Sequence, residues 1–250
     1  MAELFLDTAN LADLTAYMQW GIFSGITTNP LIFKEVGTAE PMAYYQKIAT
    51  TFPVPMSIQL LEGSADTLVE QAKAFAALAP NVIIKVPMFG DGKGLTVLSR
   101  LTKEGIKVNV TGLMTAEQLL LALMAVPGPS YVSLFFNRIR DGGGDPQREI
   151  ANARELIDKI GSTAKIIVGS IRKSEDVRQA MAAGGHILTV APKVLATMVY
   201  HPKSVEFIAQ SQAAWESVVK TRSANGESQV IQDDHTTTGG NRPQQLSARH

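Results

Sequence analysis

Short apolar runs alternate with longer segments of helical periodicity along most of the sequence, and this alternation limits the fold more than any other feature. Repeated strand and helix units of this kind predict a parallel sheet with helices packed outside it. Eight such pairs can be placed in the 250 residues, so we expect a (β/α)₈ TIM barrel. The predicted strands are Glu3–Asp7, Ile22–Thr27, Val54–Leu60, Val82–Val86, Ile106–Thr111, Tyr131–Phe136, Lys165–Gly169 and His186–Val190.

Capping residues mark several helix boundaries between these strands. Thr115 followed by Gln118 predicts a capping box, and Asp145 followed by Pro146 predicts an N-cap with proline at the first helical position. Gly161 stands where a left-handed residue would end a helix before the next strand. Helices therefore begin and end where the barrel pattern needs them.

The chain continues beyond the eighth unit. Pro202–Lys220 has apolar residues at helical spacing and predicts one additional amphipathic helix, which could cover a barrel end or dock on a neighbouring subunit. Residues 221–250 hold too few apolar side chains to offset the entropy of ordering, so we expect a disordered tail. The expected organisation is one domain over 1–220 followed by this tail.

Charge and composition exclude several classes of partner and chemistry. Lys plus Arg and Asp plus Glu both number 23, so no net charge attracts nucleic acid or an anionic membrane. The absence of cysteine excludes disulfides and thiolate nucleophiles. No run of apolar residues is long enough to span a membrane and no signal peptide precedes the first strand, which predicts a cytoplasmic protein. The tail histidines His235 and His250 lack a third ligand at metal spacing, so no metal site is predicted.

An unusual number of polar residues is expected inside the barrel. Side chains of a barrel strand alternate between the helix layer and the interior, and the active site lies at the C-terminal ends of the strands. A purely structural barrel would fill its interior with branched aliphatic side chains, because burying polar groups without a task is costly. The residues assigned to the interior are Phe5, Asp7, Ser57, Gln59, Lys85, Lys107, Asn109, Thr111, Tyr131, Ser133 and Phe135.

Lys85 is the clearest candidate for a catalytic residue in the sequence. It is surrounded in sequence by Ile83, Ile84, Val86 and Pro87, and burial of an amine favours its neutral, nucleophilic form, so we expect a lowered pKa and attack on a carbonyl. The alternative is a buried ion pair with a carboxylate on the first strand.

That carboxylate is Asp7, the last residue of the first predicted strand. It is expected to act as general acid and base, taking a hydroxyl proton as a carbon–carbon bond breaks. Its alternative role is to cap the segment that starts at Thr8.

An anion-binding end is also indicated. Arg138 follows the sixth strand and Gly169–Lys173 follows the seventh, where barrels commonly hold a substrate phosphate with main-chain amides and a helix N-terminus. Guanidinium groups suit such an oxyanion. The alternative is that Arg138 pairs with Asp141 while Arg172 and Lys173 are merely solvated.

In these residues the chain resembles the transaldolase family, including its short fructose-6-phosphate aldolase branch. The resemblance runs in order over about residues 1–220 and is specific, because its motifs combine a DTAN start, a TTNP turn and a strand-borne lysine. The motifs are LFLDTAN at 4–10, GITTNPLI at 25–32, IIKVP at 83–87, VNVT at 108–111, SLFFNR at 133–138 and GSIRK at 169–173.

The resemblance implies a role for each residue of the reacting centre. Lys85 forms a Schiff base with a ketose, and Asp7 is the acid and base at the sugar hydroxyl. Asn29 orients the dihydroxyacetone unit, and Gln59 and Thr111 hold a catalytic water. No cofactor is implied, because the iminium itself is the electron sink.

The resemblance also implies the substrate contacts and the partners. Arg138, Ser170 and Arg172 bind the distal phosphate of a sugar phosphate donor, and an aldehyde is the acceptor. A homo-pentamer or homo-decamer is implied, with the C-terminal helix on the next subunit. The other expected contacts with substrate are Thr28, Asn109, Ser133 and Phe135.

Two branches of the family differ in the fate of the enamine. Transaldolases pass it to an acceptor aldehyde, whereas the aldolases protonate it and release dihydroxyacetone. Phe135 stands where the aldolase branch tends to have a tyrosine that assists protonation, and Asn109 and Ser133 also resemble transaldolases. Gln59 favours the aldolases, since many transaldolases have glutamate there.

Two further alternatives stay open, and the sequence argues against a third. A sulfonated or otherwise modified sugar could replace the phosphate, since the arginine-rich end suits any such oxyanion. A sugar-phosphate-binding barrel without catalytic activity would share the fold. A cofactor-free isomerase would need a carboxylate or histidine base at the substrate, and none of the four histidines is placed for it.

Overall fold

A computed structural model of the chain describes residues 2–126 and 130–224. Eight parallel strands form a closed barrel in chain order, and the first strand pairs with both the second and the eighth. The predicted TIM barrel is therefore confirmed. The strands are β1 (Glu3–Asp7), β2 (Phe23–Thr27), β3 (Met56–Gln59), β4 (Val82–Pro87), β5 (Val108–Leu113), β6 (Tyr131–Phe135), β7 (Lys165–Gly169) and β8 (Ile187–Val190).

Helices follow every strand, and two short ones are added directly after β2 and β6. These two additions lie at the C-terminal ends of their strands, which is the end of a barrel that carries the active site. The helices are α1 (Leu11–Met18), α2 (Pro30–Lys34), α3 (Pro41–Thr51), α4 (Ala65–Ala76), α5 (Lys93–Lys103), α6 (Ala116–Ala125), α7 (Phe136–Asp141), α8 (Pro146–Ile160), α9 (Ser174–Ala182), α10 (Pro192–Val199) and α11 (Pro202–Ala224).

All eight predicted strands are present, but several ends differ by one or two residues. β3 begins at Met56 rather than Val54, since Pro53 and Pro55 precede it and proline has no N–H to donate to a ladder. β6 ends before Phe136, which is already the first residue of α7.

The predicted helix boundaries are largely confirmed. The Asp145 carboxylate accepts N–H bonds from the first turn of α8, and Gly161 ends that helix with a left-handed φ of 71°. Thr115 caps α6, but the predicted reciprocal half of its capping box is wrong. The Gln118 side chain accepts from the Met114 N–H, one residue before the cap.

The interior of the barrel is apolar at one end and polar at the other. Phe5, Ile167 and Ile187 form a small buried cluster inside the barrel, with Tyr131 packed against it. The main core lies between the strands and the helices and contains the opposite faces of the same strands. Lys107 was expected inside but is exposed, because it precedes β5 at the rim, where its long side chain reaches solvent.

Gly25 leaves the space that the Phe5 ring occupies inside the barrel. The two residues are paired across β1 and β2, and a Cβ at position 25 would lie 2.4 Å from the ring. Gly25→Ala is expected to lower the free energy of unfolding by about 1–3 kcal/mol, the usual cost of forcing extra volume into a packed core. Chemical denaturation of the unaltered protein and the variant measures this change, provided that the two proteins have the same m-value.

Gly90→Ala is the control for this prediction, since a Cβ at Gly90 meets no atom within 4 Å. Phe5→Leu combined with Gly25→Ala should recover part of the loss, because leucine is smaller than phenylalanine. An unchanged midpoint in Gly25→Ala alone would show that the ring moves aside without cost.

Contacts divide the chain into two compact units, of which the first is Met1–Val199 and holds the barrel. The second begins at Tyr200 and contains α11, so the predicted C-terminal helix is confirmed. It extends to Ala224, beyond the predicted end at Lys220, so 221–224 are helical rather than part of a tail. That the helix and barrel form one domain over 1–220 stays a prediction, and the rest of the predicted tail lies outside the described residues.

Candidate active site

A cavity of about 290 Å³ opens at the C-terminal ends of the strands. A second cavity of about 480 Å³ adjoins it and shares Asp7, Asn29, Leu31 and Ser170. Together they offer the volume that small-molecule sites usually have. The first cavity is lined by Asp7, Asn29, Pro30, Leu31, Gln59, Lys85, Phe135, Arg138, Gly169, Ser170 and Thr189.

Lys85 reaches this cavity from the middle of β4. Its side chain is only 5% exposed, and its amine donates a hydrogen bond to the Thr28 carbonyl at 3.3 Å. The amine also lies 5.9 Å from the centre of the Phe135 ring. Burial lowers the pKa of Lys85, and the negative charge of Asp7 opposes this shift. The neutral, nucleophilic amine is therefore more populated than for a lysine in water.

Asp7 ends β1 and faces the same cavity. Burial raises the pKa of its carboxyl group, whereas Lys85 and the Thr27 hydrogen bond lower it. The charges of Asp7 and Lys85 interact across the site, but no ion pair or hydrogen bond joins these two described side chains. The two groups therefore form no contact ion pair, and both line the same cavity.

Two threonines that the sequence reasoning missed hold the Asp7 carboxylate. The Thr27 hydroxyl donates to Asp7 Oδ1 at 2.6 Å and lies 2.5 Å from the Thr189 hydroxyl. Both threonines are buried. The alternation rule applied to β2 and β8 would have found them, because Ile26, Leu188 and Val190 belong to the outer core.

Asn29 and Gln59 line the cavity beside Lys85. The Asn29 side-chain oxygen accepts from Leu31 N and Ile32 N, which caps α2 and fixes the amide. Its NH₂ group has no partner among the described residues and is available to a substrate oxygen. Gln59 pairs in register with Lys85 across β3 and β4, so the two side chains are neighbours.

Thr111 is buried near these groups, and its hydroxyl has no hydrogen-bond partner in the described protein. Its backbone pairs with Pro87, two residues beyond Lys85 on β4. This hydroxyl can therefore bond to a water or a ligand, and its predicted role in holding a catalytic water stays a prediction.

Three other expected contacts are not among the residues that line the cavity. Asn109 donates to Ser57 Oγ at 3.1 Å and accepts from Ser133 Oγ at 2.7 Å, so its amide is engaged on both sides. Thr28 donates its hydroxyl to the Ser57 carbonyl at 2.8 Å. All of them are buried, and their contact with substrate stays a prediction.

The expected anion end is only partly assembled. Arg138 on α7 and Ser170 after β7 line the cavity, whereas Arg172 does not. Arg172 instead binds Asp141 with both guanidinium nitrogens, at 2.9 and 2.5 Å. The alternative expectation that Arg138 would pair with Asp141 is therefore wrong, since Arg172 holds that carboxylate. This pair holds the pKa of Asp141 below its usual range.

Two further observations concern metal ions and membranes. In residues 2–126 and 130–224, no three histidine, aspartate or glutamate side chains are grouped so that they could hold a metal ion. Over the same residues, every helix is too short or too polar to cross a bilayer.

This chain is similar to known proteins over most of its length. The model of the family described as Transaldolase/Fructose-6-phosphate aldolase matches residues 4–239. A protein named Probable transaldolase from Alkaliphilus metalliredigens is 36% identical over 218 residues, which are 87% of this chain and the whole of that relative. Proteins of the same name from Streptococcus pyogenes serotypes M5 and M1 are 35% identical over the same share of both chains. The chain belongs to the transaldolase/fructose-6-phosphate aldolase family.

Proposed function

We propose that this enzyme is a transaldolase that moves a dihydroxyacetone unit from a ketose phosphate to an aldehyde through a Schiff base on Lys85. The observation that carries the proposal is the buried Lys85 amine, whose lowered pKa and position in the cavity suit attack on a ketone. Asp7 faces the same space without being bonded to the amine.

The reaction begins when the neutral Lys85 nitrogen attacks the C2 carbonyl of the ketose. The carbinolamine then loses its hydroxyl group as water and becomes an iminium ion. This loss needs proton transfers, and a water held by Gln59 and Thr111 would carry them. The unpartnered Thr111 hydroxyl and the position of Gln59 beside Lys85 support this role.

Asp7 then takes the proton of the C4 hydroxyl as the bond between C3 and C4 breaks. The bonding electrons move into the iminium, which becomes a neutral enamine, and an aldehyde leaves. With fructose 6-phosphate that aldehyde is glyceraldehyde 3-phosphate. The steps reverse when the enamine carbon attacks the acceptor aldehyde and Asp7 returns its proton to the new hydroxyl.

The residue near the Lys85 amine favours transfer of the dihydroxyacetone unit over its release. Phe135 presents an aromatic ring 5.9 Å from the Lys85 nitrogen and no hydroxyl that could protonate the enamine. The second candidate is a fructose-6-phosphate aldolase that releases dihydroxyacetone, and Gln59 in place of glutamate favours it.

The donor is proposed to carry an anionic group at the end remote from its carbonyl. Arg138 and Ser170 line that side of the cavity and would bind a phosphate or a sulfonate. Arg172 would join them only if it left Asp141.

Acceptor dependence tests the proposal. With fructose 6-phosphate alone, glyceraldehyde 3-phosphate should form in about one equivalent per active site and then stop, because the enamine has no acceptor. Adding a four-carbon aldose phosphate should restore continuous turnover. Coupled detection of the triose phosphate measures both phases, and phosphorylated, sulfonated and free ketoses are compared as donors.

Phe135→Tyr provides the matched comparison, since it adds only a hydroxyl beside the amine. It should raise turnover without acceptor by supplying a proton donor for the enamine. Continuous release of dihydroxyacetone by the unaltered enzyme would instead establish the aldolase candidate. No cleavage of any donor would favour the alternative of a binding barrel without activity.

The assembly and compartment are further parts of the proposal. Phe207, Ile208 and Trp215 on α11 are more than half exposed, which supports packing of this helix on another subunit. The family resemblance suggests that the assembly is a homo-pentamer or homo-decamer. Sugar phosphates are charged metabolites that cells retain, so we place the reaction in the cytoplasm, within the carbohydrate metabolism of the pentose phosphate pathway.

A further inference from the structure

Asn137 and Asp176 form a buried polar pair behind the anion end of the cavity and line neither cavity. Asp176 lies in the first turn of α9 and is 1% exposed, and Asn137 on α7 is 5% exposed. The Asn137 amide donates to Asp176 Oδ2 at 2.7 Å, which joins the segments that follow β6 and β7.

The Asp176 carboxylate also organises the loop that leads into α9. Its Oδ2 accepts the main-chain N–H groups of Arg172 and Lys173, both at 3.0 Å. Its Oδ1 accepts from the Arg140 guanidinium at 3.1 Å. These two N–H groups just before α9 are therefore bonded within the protein and are not free to bind an oxyanion.

Asn137 holds the cavity-lining residue Ser170 in place. The Ser170 carbonyl accepts both the Asn137 main-chain N–H at 3.2 Å and its side-chain NH₂ at 2.8 Å. Ser170 has a φ of 57°, and no other described residue except glycine has a positive φ. Such a conformation is strained for serine and persists only where its surroundings enforce it.

We infer that Asn137 and Asp176 are positioning residues that set the affinity of the site for the anionic end of the substrate by holding Ser170 in its left-handed conformation beside Arg138. The inference rests on the proposed function for the identity of that end as a phosphate or sulfonate. Asn137 immediately precedes Arg138, so one clamp fixes both cavity-lining residues of the anion end.

The negative charge of Asp176 and its role in positioning Ser170 predict opposite effects on phosphate affinity, which makes the inference testable. A carboxylate near an anion site repels the anion, so if only the charge of Asp176 mattered, its removal would tighten phosphate binding. Removing the clamp would weaken binding, because Ser170 and Arg138 would lose their arrangement. The direction of the change in phosphate affinity therefore separates the two effects.

The experiment compares Asn137→Ala and Asp176→Ala with the unaltered enzyme. The dissociation constant of inorganic phosphate, measured by calorimetry, and the KM for fructose 6-phosphate should both rise about tenfold or more, as loss of hydrogen bonds to a charged group implies. The kcat with acceptor present should change less than about threefold, since Lys85 and Asp7 are untouched. Borohydride trapping of unphosphorylated dihydroxyacetone should be unchanged.

Glu175→Gln is the matched control, because it removes one negative charge from the same turn of α9 but lies outside the clamp. Asp176→Asn is a milder second variant that keeps the volume and one acceptor oxygen, and it should give an intermediate loss. Thermal unfolding identifies the variants that fold. Unchanged or tighter phosphate binding in a folded clamp variant overturns the inference.

The outcome does not depend on turnover, because calorimetry with inorganic phosphate needs no reaction. If Lys85 forms no adduct, the proposed function fails while the phosphate measurement still tests the clamp. If the unaltered enzyme binds neither phosphate nor sulfate, the clamp has no anion site to position and the inference fails by itself.

Discussion

Lys85→Met is expected to abolish turnover, lowering kcat by roughly four or more orders of magnitude, as loss of a covalent nucleophile does. Methionine fills a similar space without an amine, so the barrel should keep its fold. Incubation with fructose 6-phosphate and borohydride should give a reduced adduct on Lys85 of the unaltered enzyme and none in the variant. Peptide mass spectrometry locates the adduct.

Lys107→Met makes the same change at an exposed lysine of the opposite rim and should leave the rate and the adduct unaltered. The expected adduct follows from burial, because a lower pKa leaves more of the Lys85 amine unprotonated at neutral pH. An active Lys85→Met variant, or an active enzyme trapped on another lysine, would refute the Schiff-base mechanism.

Asp7→Asn is expected to lower kcat by about 10²–10⁴-fold, the usual contribution of a positioned general acid and base. Schiff-base formation should survive, since its nucleophile is intact, so borohydride should still label Lys85. Loss of the Asp7 charge removes the influence that raises the Lys85 pKa. The trapping rate should therefore begin to rise at lower pH than in the unaltered enzyme.

Two measurements separate Schiff-base formation from cleavage of the carbon–carbon bond. The rate of fructose 6-phosphate cleavage and the pH dependence of borohydride trapping are measured for the same variant. Only the rate of cleavage should fall strongly. Glu3→Gln is the control, because it removes a carboxylate from the other end of the same strand. An onset of trapping that moves to higher pH, or cleavage at the original rate, would contradict the assigned role of Asp7.

The proposed reacting groups could be predicted from the sequence because they lie within regular strands. Period-two alternation pointed Asp7, Gln59 and Lys85 toward one space, and the cavity contains all three. The same rule applied to β2 points Thr27 inward as well, since Ile26 belongs to the outer core. Lys107 was wrongly placed because alternation gives the direction of a side chain but not its distance from the rim.

The anion end was harder to predict because its residues follow strands rather than lie in them. Arg138 and Arg172 have the same chemistry in the sequence, yet Asp141 engages one and leaves the other at the cavity. Loop geometry depends on contacts between distant segments, such as the bonds that Asn137 makes to Ser170. No local pattern encodes those contacts.

The amino-acid sequence by itself determined the eight strand and helix units, the polar interior and the buried amine. These follow from periodicity and local composition, which act over a few residues. Only the tertiary structure decided that Asp7 and Lys85 line one cavity without a hydrogen bond between them, that Arg172 binds Asp141, and that Asp176 bonds to the loop after β7. Each of these depends on distances between segments far apart in the chain, which are set only when the barrel closes.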